Sequence, residues 1–509
     1  MAVAVVTGLL VDALGSTLLS FARAEVSGFF GLGPDDYAAL IVTYTAAKIA
    51  GFLLAPWCVG LRGARGAYSA ALGVQLCAFA LMTLTGQGLI LLVLCGVIGL
   101  AGGILLVAAQ TLLFQTFARR RQPVVQLAYA LGSAAGAAAL APGFQGWALD
   151  WLDWRWIACA ASATGILALA LLTGTDTTGE TPSRRSPGDM RFVLLAGSGV
   201  ICLAYVSTQG ERWNWFDSPH ILWASIAGAA AILLTLRILL RQPVPQRMID
   251  TSVFGNLNFS FAFLASFAAG FALFGTGYLI PAYAAGGLGM NSAQIGQLLL
   301  PGWLCFAGAM GITAFLLPRL RVPPVITVPL GILLIMVAMW MFAGQAKGAS
   351  VATLMPAVLL RGAALGFLFL AITLMALMDL PDQVMAHGAA LLSAARQLGG
   401  LAGTGYLGSL LSRQTEMNAQ ILSAQLNSGN PVLLARIAGL TARFEQSGHT
   451  PTEAASLAMG TLARALTGQA NAIAWNNAFT AVVVFFMIAA PVLVLSRTVL
   501  ARMISASRT

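Results

Sequence analysis

Apolar residues in this chain come in blocks of about 20, long enough for helices that cross a hydrocarbon layer roughly 30 Å thick. Short breaks rich in arginine, glycine and proline separate them. The pattern predicts helices near 4–22, 37–59, 67–86, 89–115, 124–149 and 156–174, followed by the hydrophilic linker "TDTTGETPSRRSPGDMR". Helices near 192–209 and 219–240 come next, then six more near 257–285, 293–317, 324–343, 351–377, 385–411 and 473–497. The first block lacks a basic leader and a small-residue cleavage site, so it is expected to be a retained helix and not a signal peptide.

This arrangement of six, two and six helices predicts an all-α polytopic membrane protein with fourteen transmembrane helices. Its parts are an N-terminal six-helix bundle (1–174), a cytoplasmic linker (175–191), an inserted helix pair (192–240), a second linker (241–256) and a C-terminal six-helix bundle (257–509). Two facing bundles are the architecture of rocker-type secondary transporters. A long outer segment, 412–472, carries two helix starts, Asn430–Pro431 and the capping box "TPTE" from Thr450 to Glu453. Short amphipathic helices are expected there, outside the membrane.

Composition narrows the reading further. With 59% hydrophobic and 9% charged residues, no sizeable soluble domain fits between the blocks. The net charge of +10 sits in the breaks "RGARG", "ARRRQP", "SRRSPGDMR", "RQPVPQR" and "PRLRVPP" and in the C-terminal tail. Those breaks hold most of the 27 Lys and Arg and fall on one side of the membrane, which places both termini inside. Topology therefore explains the basicity, and no nucleic-acid partner is needed. Cys58, Cys77, Cys95, Cys159, Cys202 and Cys305 form no CxxC pair, and His220, His387 and His449 show no ligand spacing, so neither a metal nor another cofactor is expected. A Walker A sequence is lacking, which argues against ATP hydrolysis.

Four charges fall deep within predicted helices: Asp12, Lys48, Arg361 and Arg396. A charge at such depth is costly and usually marks a transport pathway or a proton relay. Asp12 and Lys48 share a depth. Asp12, Ser16 and Ser20 form one polar stripe, Tyr44 and Lys48 another, so an Asp12–Lys48 ion pair is expected. It serves either as a static lock between two helices or as a proton-coupling site. Arg361 and Arg396 either bond helix carbonyls or line a substrate path. Three positive charges against one negative lean towards an anionic or weak-acid substrate. Tyr44, Gln110, Tyr205, Gln294 and Tyr406 are candidate cavity linings, with ordinary helix-interface polarity as the alternative.

Several motifs converge on one family. "APGFQGWALDW" sets Pro142 and Gly146 four residues apart after the run "GSAAGAAALA", and "WLDWRWIA", "GERWNWFDS", "LLRGAALGF" and "ARQLGGLAGTGYLG" follow in order. In these, and in the long last outer loop, the chain resembles the EmrB/QacA-type fourteen-helix drug:proton antiporters of the major facilitator superfamily over nearly its whole length. "APGFQG" is similar to the antiporter motif of the fifth helix, with Gln145 in place of a usual Gly. The loop "PWCVGLRGARG" keeps Gly63 and Arg65 of the gating motif but has Gly60 where an Asp is often found. In the fourth helix Gly99 and Gly103 remain, while Cys95 replaces an Arg linked to proton coupling.

The resemblance implies a multi-pass protein of the bacterial inner membrane. It would export small amphipathic compounds, drugs or toxic weak acids, by alternating access in exchange for protons, with Asp12 as the functional acid of the first helix. Its partners would be the substrate, protons and the lipid bilayer, and in some relatives a periplasmic adaptor and an outer-membrane channel. Cys95 leaves open a dedicated metabolite or siderophore exporter uncoupled from protons. A membrane enzyme or channel has less support, because no His, Asp or Glu cluster lies at a membrane face and no filter sequence is present.

Overall fold

A computed structural model of the chain describes residues 1–174, 189–243, 247–320, 326–345, 349–424 and 431–506. Most of the predicted linker 175–191 lies outside the described residues, and no β-strand occurs among them. The chain begins with α1 (Ala2–Phe21), α2 (Arg23–Phe30), α3 (Pro34–Leu84) and α4 (Gly88–Thr116). The short α2 was not foreseen from the pattern. It carries Arg23 and Glu25 and stops at Gly31, whose φ of 65° ends the helix in the left-handed region.

In α3 the two helices predicted at 37–59 and 67–86 run head to tail across Gly63, the one non-helical residue inside it (φ 74°, ψ 167°). A side chain is poorly tolerated at that φ, so the predicted loop is a glycine kink. Next come α5 (Gln122–Ala130), a π-helical stretch Leu131–Leu140, and α6 (Ala141–Trp151), one rod over the predicted 124–149. The N-terminal half ends with α7 (Arg155–Thr173), and α8 (Met190–Gln209) and α9 (Pro219–Arg241) follow.

The C-terminal half opens with a second rod: α10 (Leu257–Gly270), a π stretch Phe271–Gly275, α11 (Thr276–Ala282) and a π stretch Tyr283–Gly287. After it come α12 (Ser292–Leu320), α13 (Thr327–Ala343), α14 (Val351–Leu377), α15 (Met385–Ala424), α16 (Pro431–Gln446) and α17 (Pro451–Ala506). Ten of the described helices are long and apolar enough to cross a membrane, with α3 counted once.

The segment 412–472, predicted to lie outside, differs from the expectation of short helices. Only α16 is one; α15 continues past 411 to Ala424, and α17 runs unbroken from Pro451. No proline interrupts α15, and none interrupts α17 before Pro491, so nothing halts the helices where the apolar stretch ends. The predicted capping box is formed: Thr450 N–H donates to Glu453 Oε2 at 3.1 Å and Glu453 N–H to Thr450 Oγ1 at 3.4 Å.

Two large apolar cores account for most of the packing. One is drawn almost wholly from residues 4–172, the other mainly from residues 253–493. A smaller cluster joins the halves: Val42, Ala46 and Ile49 of α3 meet Val200 and Ala204 of α8 and Leu401 of α15. The pair α8–α9 thus lies along the α3–α15 seam, with much of α9 exposed.

Candidate functional site

In the N-terminal half, Asp12 of α1 and Lys48 of α3 form an ion pair. Lys48 Nζ lies 2.9 Å from Asp12 Oδ2 and 3.1 Å from Oδ1 and donates to Tyr44 Oη at 3.1 Å. Among the described residues this is the one ion pair with both side chains buried, at 4% and 7% exposure. Two ions removed from water attract strongly but each loses its hydration, so removing one partner is costlier than removing both.

The glycines of α4 explain how the pair fits. A Cβ at Gly99 would lie 2.4 Å from the Tyr44 carbonyl oxygen, and one at Gly103 would lie 2.2 Å from that of Lys48. Spaced four apart on one face, they let α4 approach the α3 backbone at the two residues that hold the site. Gly102, unremarked in the sequence, backs the acid itself: its Cβ would fall 2.2 Å from Asp12 Oδ1. Cys95 is buried in the same helix.

The remaining sequence candidates are dispersed. Gln110 is buried within the N-terminal half, where its Nε2 donates to Gln126 Oε1 at 3.2 Å. Arg361 lies inside the C-terminal half, with Nε donating to Thr276 Oγ1 at 2.7 Å, a 3.5 Å bond to the Leu273 carbonyl, and Trp303 5.8 Å below its cation. The Leu273 carbonyl, in the π stretch, also accepts from the Thr276 N–H, so Arg361 shares it as a second donor. Arg396 donates to Thr373 Oγ1 at 3.0 Å and stacks 4.0 Å above the Phe369 ring, while its buried Nε finds no partner among the described residues. Neither arginine has an acidic partner among those residues.

Tyr129 of α5 connects the two sides, being within electrostatic range of Arg396 and of the Asp12–Lys48 pair, with its hydroxyl on the Leu106 carbonyl at 3.3 Å. Arg65 reaches back to the Leu172 carbonyl near the end of α7 at 2.6 Å, where a cation suits the negative end of the helix dipole. Pro142 and Gly146 lie on α6, and their side-chain surroundings fall outside the described residues, as do those of Ser20. Gln294 lies exposed at the start of α12, where its Oε1 and N–H exchange bonds with Asn291. Tyr406 lines a cavity of about 310 Å³ between α8 and α15, with Ser207, Trp215, Ser409 and Arg413.

Sequence reasoning missed Gln75, Gly102, Tyr129, Thr276 and Thr373. The available signal was a polar or small residue inside an unbroken apolar run, as in "ALGVQLCAF" around Gln75.

The profile of the Major Facilitator Superfamily matches residues 5–404. The colistin resistance protein EmrB of Acinetobacter baumannii is 24% identical over 393 residues, covering 76% of this chain and 74% of the relative. The multidrug resistance protein B homolog of Mycobacterium tuberculosis is 26% identical over 423 residues (80% and 75%), and the multidrug export protein EmrB of Escherichia coli 23% over 388 (75% and 72%). Among solved structures, the human organic anion transporter MFSD10 (TETRAN) superposes with a TM-score of 0.53 at 16% identity over 80% of this chain and 92% of its own. The proton:xylose symporter XylE gives 0.54 at 12% identity over 82% and 90%. Profile, relatives and fold agree that the chain belongs to the major facilitator superfamily and is a multi-pass inner-membrane transporter, not an enzyme.

Proposed function

We propose that this transporter exports small amphipathic compounds, drugs or weak acids, in exchange for protons that bind at Asp12. The buried Asp12–Lys48–Tyr44 cluster carries the reading. An ionised Asp12 holds Lys48; protonation from outside cancels the attraction and releases it, and loss of the proton inside restores the pair. Multidrug export and colistin resistance in the names of relatives support the substrate class. The acid-free arginines 361 and 396 support a preference for anions.

Fourteen spans with both termini inside fit the helices. The Gly63 kink divides α3 into two spans, and α5–α6, α13 and the first part of α15 supply the spans beyond the ten that length and apolarity mark. The two bundles, 1–174 and 257–509, follow the two apolar cores, with 192–240 inserted between them. The extensions of α15 and α17, with α16, would stand in the periplasm, where an adaptor leading to an outer-membrane channel could dock. Uncoupled export of a single metabolite or siderophore is the second reading, favoured by Cys95 in α4.

Uptake into inverted vesicles, measured with a panel of acidic, neutral and cationic fluorescent dyes, tests both. Asp12→Asn is expected to abolish pH-driven uptake while the protein still inserts. A normal pH response in that variant would overturn Asp12 as the coupling site, and uptake by the unaltered protein that ignores the pH gradient would favour uncoupled export.

A further inference from the structure

We propose that Gln75 is the second partner of Asp12, accepting the hydrogen bond of its protonated carboxyl when Lys48 lets go. The inference rests on the proton-antiport reading and deepens it. Gln75 lies in the second half of α3 and is fully buried. Its Nε2 donates to the Ile98 carbonyl of α4 at 3.2 Å, and its Oε1 has no hydrogen-bond partner among the described residues. The Ile98 oxygen fixes the amide orientation, since only the nitrogen can donate to it. A buried amide oxygen without a donor is costly to keep, so its presence calls for a donor that comes and goes.

At Gly102 the two side chains come together. A Cβ there would lie 2.2 Å from Asp12 Oδ1 and 3.0 Å from Gln75 Nε2, so the carboxylate borders the same bare Cα as the amide nitrogen, to whose planar group the unpaired Oε1 belongs. Around Asp12 the titratable groups are Lys48 and Tyr44 of α3, Cys95 of α4 and Tyr129 of α5, while Tyr68 and Tyr37 of α3 also face α1 and donate to the carbonyls of Ala4 and Leu19. Among the described side chains, the other helices packed on α1 carry theirs away from it or on exposed faces: Arg23 and Glu25 on α2, Arg155 at the start of α7, and exposed Cys159.

Tyr44 already accepts from Lys48, and Tyr129 donates to Leu106. An ionised Asp12 only accepts bonds and has no use for Gln75 Oε1; a protonated Asp12 gains one O–H and needs an acceptor. In the step, a proton from outer water adds to an Asp12 carboxylate oxygen and Lys48 stays an ammonium on Tyr44. The new hydroxyl then donates to Gln75 Oε1, and deprotonation reverses each move.

Gln145 offers a second buried amide oxygen without a partner, but its Nε2 bonds the Leu14 carbonyl at 2.9 Å. Two residues along a helix turn about 200°, so that amide faces the opposite side of α1.

Infrared difference spectroscopy of the purified full-length protein, titrated by pH without substrate, reads the protonated carboxyl directly, and Asp12→Asn identifies its band. Gln75→Met is expected to move the protonation midpoint down by about one pH unit and to raise the carbonyl frequency, because the neutral acid loses its acceptor. Gln75→Leu serves if the methionine variant does not insert. An Asp12 band unmoved by either variant overturns the role of Gln75 and leaves Asp12 as the proton site. A spectrum in which Asp12→Asn removes no titrating band overturns both.

Discussion

One absent methyl group decides whether the buried charge pair fits. With a Cβ, residue 102 would stand 2.2 Å from Asp12 Oδ1, whereas a Cβ at Gly73 would meet nothing within 4 Å. Gly102→Ala is therefore expected to destabilise the protein by about 1–3 kcal/mol and to abolish transport. Gly73→Ala should do neither. Thermal unfolding of the purified variants and dye uptake check both. Lys48→Met leaves an unpaired buried carboxylate and should cost about 3–5 kcal/mol, most of it recovered when Asp12→Leu is added. A Lys48→Met variant that melts with the unaltered protein would count against a buried pair. Asp12 and Lys48 were legible in the sequence because ionised groups in long apolar runs are rare and costly. Gln75, Gly102 and Tyr129 were not, because a helix apolar on all sides gives no sign of which face meets which neighbour.

Helix positions were legible wherever an apolar block met a charged or proline-bearing break, as at Gly88–Thr116 against a predicted 89–115. What happens at a break was not: the "RGARG" stretch could be a loop or a kink, and only the backbone at Gly63 shows the kink. Gly63→Ala should cost about 1–3 kcal/mol, since its φ of 74° with ψ of 167° is a glycine conformation. Loss of stability in that variant and none in Gly73→Ala would locate the strain at the kink. The α15 and α17 extensions were hidden for the converse reason, because polar helix continues apolar helix with no change of backbone. At the start of α17, bonds from the Thr450 N–H and hydroxyl hold the Glu453 carboxyl below the usual carboxylate range. A lowered folded-state value means the cap contributes fully above the ordinary carboxylate pKa and is lost as pH falls through the lowered one. Hydrogen exchange at Ala454 should therefore quicken relative to the helix interior in acid, and at neutral pH in Thr450→Ala. Equal protection in the variant would show that the cap does not hold this end.

Across the whole molecule, two neighbouring residues grip both halves. In the turn between α8 and α9, Glu211 Oε2 accepts from Arg413 Nε of α15 at 3.2 Å and from Trp215 Nε1 at 2.8 Å. Arg212 donates to Asp35 at the start of α3 at 3.0 Å. Asn214 and Trp215 take φ values of 52° and 53°, strain that these contacts hold in place. At the opposite face, Gln115 at the end of α4 bonds the Asp382 carbonyl at 3.3 Å, in the turn before α15. In the proposed orientation the Glu211–Arg212 turn lies outside, so outer opening must release one of its two grips. Exposed pairs are worth roughly 0–1 kcal/mol each and opening breaks one of them, so losing both should shift a near-balanced equilibrium towards the outward-open state by up to about 5-fold. Spin labels at Gln87 and Gln345, one on each half at the proposed outer ends of α3 and α13, read the separation. Glu211→Gln with Arg212→Gln is expected to lengthen it, and raised salt to do the same to the unaltered protein. Arg155→Gln breaks a pair with Asp153 that stays within the N-terminal half and should change nothing. An unchanged distance distribution in the double variant would mean that the turn rides with one half and holds no gate.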